Sequence, residues 1–172
     1  MAGNQPAGDA ARGVSGLGVV SNWKNGEFEV SDDPERLDLD TIHEFLALNS
    51  NWARGIPRST LQKSIRNSLS FGVFHGSKQV GFARVISDSA TVAYLGDVFV
   101  VPEYRGRGLA KWLMQCVVSH SDLQNLRRWI LVTENAHGLY RKYGFTELAR
   151  PECFMELHNP DVYTGGSLDE DR

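Results

Sequence analysis

The stretch EYRGRGLAKW, residues 103–112, sets two glycines and two arginines between a strand-like run and an amphipathic one. The run before it, AYLGDVFVV (93–101), is rich in β-branched and aromatic residues and predicts a strand. The run after it, LAKWLMQCVVSH (109–120), is apolar at Leu109, Trp112, Leu113, Cys116 and Val117. That is the i, i+3, i+4, i+7, i+8 stripe of a helix. A glycine loop feeding a helix start offers unpaired N–H groups and the positive end of the helix dipole, a combination that binds anions. Arg105 and Arg107 strengthen the reading. Cations there oppose the dipole, and an anionic ligand removes the conflict. The alternative is a tight turn with solvated arginines. Two better-known phosphate motifs fail. Lys111 stands where a dinucleotide fingerprint needs its third glycine, and no Gly-Lys-Ser/Thr run exists for a P-loop.

The elements that must position this loop read as one α/β domain. GEFEVSD (26–32) predicts a first strand. TIHEFLALNSNW (41–52), capped by Asp40 or Thr41, predicts a helix, and a second helix follows Ser59. LSFGVFH and QVGFARVISD predict two strands around a GSK turn. After the glycine loop and its helix come a strand at RRWILVT (127–133) and a short helix at NAHGLYRKY (135–143). FTELAR and CFMELH are expected as closing strands. Residues 1–22 are small, Gly- and Ala-rich and without period, so they read as a flexible tail. The acidic 161–172 reads the same way, leaving 23–160 as the domain.

Composition narrows the function. At 172 residues the chain is long enough for one domain with a real core. A formal net charge of −3 argues against a nucleic-acid binder. The two cysteines, Cys116 and Cys153, are far apart in sequence, and the five histidines show no ligand spacing. No metal is therefore expected, and a cytoplasmic setting fits. No apolar run approaches membrane-span length.

VVPEYRGRGLAKWLM resembles the Arg/Gln-x-x-Gly-x-Gly/Ala phosphate-loop motif of the GNAT superfamily of N-acetyltransferases, matched by Arg105, Gly108 and Ala110. Downstream, NAHGLYRKYGF (135–145) is similar to that family's Asn-x-x-Ala/Gly-x-x-Leu-Tyr-x-x-x-Gly-Phe region, slightly compressed at the Asn end. The resemblance runs from about residue 27 to 158. It implies a mixed, mostly antiparallel sheet of six to seven strands flanked by about four helices.

The resemblance also implies acetyl-CoA as co-substrate and a primary amine, on a small molecule or a peptide, as acceptor. The expected protein is a monomer or homodimer. The pyrophosphate would rest on the backbone of Arg105, Gly106, Arg107, Gly108, Leu109 and Ala110, with Asn135 nearby. The pantetheine arm would pair with Phe99, Val100 and Val101, one N–H of which polarises the thioester carbonyl. Tyr140 matches the family's usual acid for the departing thiolate. Asp97, the one carboxylate within the strand at 92–101, is a candidate base or ammonium partner; its other reading is an ion pair with a core arginine such as Arg84. Trp52, Arg54 and Arg58 lie where relatives build the acceptor wall, and arginines facing the cleft would imply an acidic acceptor. Tyr94 and His137 have suitable chemistry but read more simply as a packing and a surface residue. The competing function is a non-catalytic acyl-CoA sensor, which needs the cradle but not Tyr140.

Overall fold

The computed structural model describes residues 11–15 and 18–163. A seven-stranded sheet runs in chain order, β1(Ala11–Ser15), β2(Gly18–Asn25), β3(Phe28–Ser31), β4(Leu69–His75), β5(Lys78–Ser87), β6(Val92–Val100) and β7(Arg128–Leu131). Every neighbouring pair from β1 to β6 is antiparallel, while β6 and β7 run parallel. The parallel step follows from the connection: α3(Leu109–Ser119) carries the chain back across the sheet before β7 begins. Among the described residues, no helix is long and apolar enough to cross a membrane.

Each sheet face buries a separate core. On one face α3 inserts Leu109, Trp112, Leu113, Cys116 and Val117 against Phe71, Val73, Val85, Ala93 and Leu95. The expected apolar stripe is thus the buried one. On the other face, α1(Leu39–Glu44), a π-helical turn over Phe45–Asn49 and α2(Arg58–Arg66) cover Phe82 and Phe99. The rings of Phe45 and Phe99 stack at 3.8 Å between centroids. A fourth helix, α4(His137–Tyr140), follows β7.

The seven strands and four helices meet the expected architecture, but two strands come from the other end of the chain. The described part of the expected tail over 1–22 includes β1 and the first residues of β2, where Ser21 is buried just ahead of Trp23. Residues 1–10, 16, 17 and most of the expected C-terminal tail, 164–172, lie outside the described residues. FTELAR and CFMELH form no strand. The segment holds only a short 3-10 turn at Pro151–Cys153, and Met155 and Leu157 are 98% and 104% exposed. Alternation supplies strand propensity, but a strand forms only where an edge accepts its hydrogen bonds and a surface buries one face. Pro151, which donates no N–H, interrupts the pair.

The first helix also starts earlier than its pattern suggests. Asp38, not Asp40 or Thr41, caps α1 by accepting the N–H groups of Asp40 and Thr41. The Thr41 hydroxyl and those N–H groups hold its carboxyl below the usual carboxylate range.

Candidate active site

The 103–112 loop is a strand-to-helix joint, as its composition requires. After a 3-10 turn at Pro102–Tyr104, the chain passes Gly106 and Gly108, both at φ +78°, and enters α3 with Gly108 as its N-cap. Among the described residues, no side chain caps this end. No described residue beyond the chain neighbours lies within 4 Å of where a Cβ on either glycine would stand. The glycines therefore serve the left-handed backbone and leave an open concavity, rather than relieve a crowded one. Arg105 differs from the expectation. Its N–H closes the turn on the Pro102 carbonyl at 3.2 Å, and its Nε donates to the Val100 carbonyl at 3.1 Å. The amides from Gly106 to Ala110 have no protein acceptor among the described residues, so the cradle begins one residue later.

Cations surround this cradle through an aromatic ring. The Arg107 guanidinium lies 5.0 Å and the Lys78 ammonium 5.4 Å from the Tyr104 ring centroid. The Tyr104 hydroxyl in turn meets His75 Nδ1 at 3.2 Å. Sequence reasoning missed Lys78 and Tyr104. Lys78 comes from the β4–β5 hairpin, so only strand pairing brings it to the loop.

The end of β6 has an open edge. β7 pairs with Val92–Leu95 only, so residues 96–100 have no strand on that side among the described residues. Val101 donates its N–H to Val80 of β5 at 2.9 Å. Strand alternation then turns the Phe99 N–H towards β5 as well and the Val100 N–H onto the open edge. Of the three residues expected to pair with a pantetheine arm, Val100 alone has its N–H facing outward.

Asp97 sits at a bulge. Between the pairs Phe82↔Phe99 and Arg84↔Gly96, Asp97 and Val98 oppose the single residue Ala83, and Asp97 adopts φ +55°. The extra residue shifts the alternation, re-aiming Asp97 towards the α1–α2 side. There its Oδ2 accepts from Arg84 Nε at 2.7 Å and its Oδ1 from Trp52 Nε1 at 3.2 Å. The pairing with Arg84 is the alternative raised from sequence. Both carboxylate oxygens are thus engaged, one by an indole N–H and one by a guanidinium. Gly96 inside an apolar strand is the sequence signal that marks such a bulge.

The loop between α1 and α2 straps the gap where β6 and β7 part. Trp52 reaches Asp97, while Asn51, its neighbour, donates to Glu134 Oε2 at 2.7 Å just beyond β7. Trp52 is 52% exposed, so it is a wall rather than a core anchor. Arg58 forms an ion pair with Asp40, an employment different from the expected acceptor contact. Arg54 is exposed and has no ion pair among the described residues. Asn135 and His137 are exposed, and Tyr94 lies over Gly96. Asn51 and Glu134 have no motif of their own in the sequence.

Tyr140 is buried against α3 and Phe145, and its hydroxyl makes no hydrogen bond to a described residue. Burial pushes its pKa above the ordinary 10.0, so the phenol keeps its proton. Tyr143, by contrast, donates to the Lys111 carbonyl of α3.

The comparisons with known proteins agree with this geometry. Residues 66–147 match the model of the acetyltransferase (GNAT) domain. A Gibberella zeae protein assigned as an acetyltransferase is 32% identical over 143 residues, covering 70% of this chain and 80% of its own. The chain belongs to the GNAT superfamily of acetyltransferases. A crystal structure from Xanthomonas campestris pv. campestris, assigned to the same family, is 50% identical to this GNAT protein. It covers 82% of this chain and 99% of its own, at a TM-score of 0.79. A Clostridium acetobutylicum acetyltransferase determined with acetyl-CoA shares the fold at 15% identity and TM-score 0.52, covering 76% of this chain and 94% of its own. The GNAT fold and these relatives make the protein an acyl-transfer enzyme.

Proposed function

We propose that this GNAT protein transfers an acetyl group from acetyl-CoA to a primary amine by direct attack of the amine. The observation that carries the proposal is the row of amides from Gly106 to Ala110, left without acceptors among the described residues at the positive end of α3. A diphosphate fits that donor set, and the fold neighbour bound to acetyl-CoA supports the choice. Gly106, Arg107, Gly108, Leu109 and Ala110 would hold the diphosphate through backbone N–H groups. Arg107 and Lys78 would add positive charge around Tyr104. Bound there, acetyl-CoA supplies an activated acyl group.

The chain's own residues supply the rest. The outward N–H of Val100 offers a hydrogen bond to an extended arm lying along the open edge of β6, the way an added strand would pair. Trp52 forms the wall past which an amine enters, and Asp97 and Arg84 hold that wall in place. Asp97 is thus a positioning residue in this reading. Tyr140 holds a proton in an apolar site and can deliver it to a departing thiolate. A binding-only protein has no use for a phenol whose ring is buried and whose hydroxyl bonds no described residue, and this favours the enzyme.

The test pairs two measurements on the full chain. Calorimetry with CoA, without added metal, should show binding. Release of free thiol from acetyl-CoA should then depend on an added amine. Binding with no release across a broad amine panel would turn the reading into the sensor, and absence of CoA binding would remove it.

A further inference from the structure

The acceptor side of the cleft carries a charge that its own structure does not use. Two carboxylates flank the gap between β6 and β7, each gripped by one of two consecutive residues of the α1–α2 loop. Asp97 takes the Trp52 N–H and is neutralised by Arg84. Glu134 takes the Asn51 amide and forms no ion pair among the described residues. Arg58 of the same loop region is paired with Asp40. The exposed indole of Trp52 and the exposed Tyr94 ring, beside Gly96, border the same gap.

Resting on the acetyltransferase reading, we infer that the acceptor carries a second positive charge besides its reacting amine, held by Glu134 beside Trp52. It belongs to the small alkyl polyamine class. The chemistry makes the charge a second one. An amine must be neutral to attack, and an unpaired carboxylate next to it would favour its protonated form. A carboxylate at the rim is better matched to a cation that does not react, with aromatic faces favouring an alkylammonium body.

Three amines with the same four-carbon body test this: butylamine, putrescine and γ-aminobutyrate, which end in a methyl, an ammonium and a carboxylate. On the full chain, kcat/KM for putrescine should exceed that for butylamine by about tenfold, with γ-aminobutyrate the poorest. Added salt should shrink that ratio, since the contact is rim-exposed. Glu134→Gln keeps an oxygen for Asn51 and removes only the charge. It should bring the putrescine-to-butylamine ratio close to one through KM, whereas Glu152→Gln, at the remote pair with Arg150, should preserve the ratio. Preference for γ-aminobutyrate, abolished by Arg54→Gln, would overturn the inference and leave the acetyltransferase reading standing. So would an E134Q variant that slows all three amines alike. Calorimetry of putrescine on the CoA-saturated protein separates the two readings. Binding lost in E134Q without any turnover would sink the enzyme and keep this site, and no binding and no turnover of putrescine would sink this site.

Discussion

His120 Nε2 lies 2.8 Å from Asp32 Oδ2, with both side chains only 4% exposed. The pair joins the residue that ends α3 to the residue that follows β3, far from the glycine loop. Each partner is fully employed. Asp32 Oδ1 accepts the Ser21 N–H at 2.7 Å, and His120 Nδ1 accepts the Asp122 N–H at 3.1 Å. The imidazole proton is therefore on Nε2 and is donated to Asp32, with the Trp23 and Phe71 rings packed around it. His120→Ala leaves a buried carboxylate short of one donor and opens space beside two rings. It should cost about 3 kcal/mol in chemical denaturation. The His120→Ala/Asp32→Ala double variant should lose less than the sum of the single losses, because no uncompensated charge remains. Additive losses would mean that the two residues contribute independently.

Gly108→Val should weaken CoA binding by well over tenfold. The substitution forces a β-branched residue to φ +78° and fills the concavity in front of the helix start. Backbone strain should also lower stability by about 1–2 kcal/mol. Titration calorimetry below the variant's melting temperature separates the two effects. Unchanged affinity would move the diphosphate off this loop.

Tyr140→Phe keeps the ring in its packed place and removes the proton. It should lower kcat by roughly ten- to ten-thousand-fold while CoA affinity stays close to that of the parent. The pH profile provides a second reading. Because burial raises the pKa of Tyr140, its contribution to kcat should persist to pH values above 10.0, with no alkaline limb of its own below that. The stability linked to the neutral phenol is complete below the unfolded pKa and is lost as pH climbs through the folded one. Full activity in the Phe variant would assign the proton to solvent.

The two cysteines should react very differently. Cys116 is buried on the stripe of α3, and burial pushes its thiol up to about 12, so almost no thiolate exists at neutral pH. Cys153 is exposed. Mass spectrometry after brief iodoacetamide treatment should find one label on the folded protein, at Cys153, and two after denaturation. A label on Cys116 in the folded state would mean that α3 opens. Any assay that counts thiol release should use Cys153→Ser, or its background will include this group.

The sequence alone determined the parts in which local pattern and local chemistry coincide. The stripe on α3 is buried as its spacing demands, because one element's periodicity and one sheet face suffice to satisfy it. The glycine loop was legible for the same reason: positive φ and a helix start are properties of a few consecutive residues. What only the tertiary structure decided depends on partners distant in sequence. Six to seven strands were expected, yet the tertiary structure chose β1 and β2 over FTELAR and CFMELH, since alternation cannot say which segment finds an edge to pair with. Asp97 was noticed as a carboxylate, but the bulge opposite Ala83 turned it to Trp52 and Arg84. Lys78, Asn51 and Glu134 carry no motif at all. They reach the site because sheet register and a strap between two helices bring them there, and those contacts span up to 83 positions of chain.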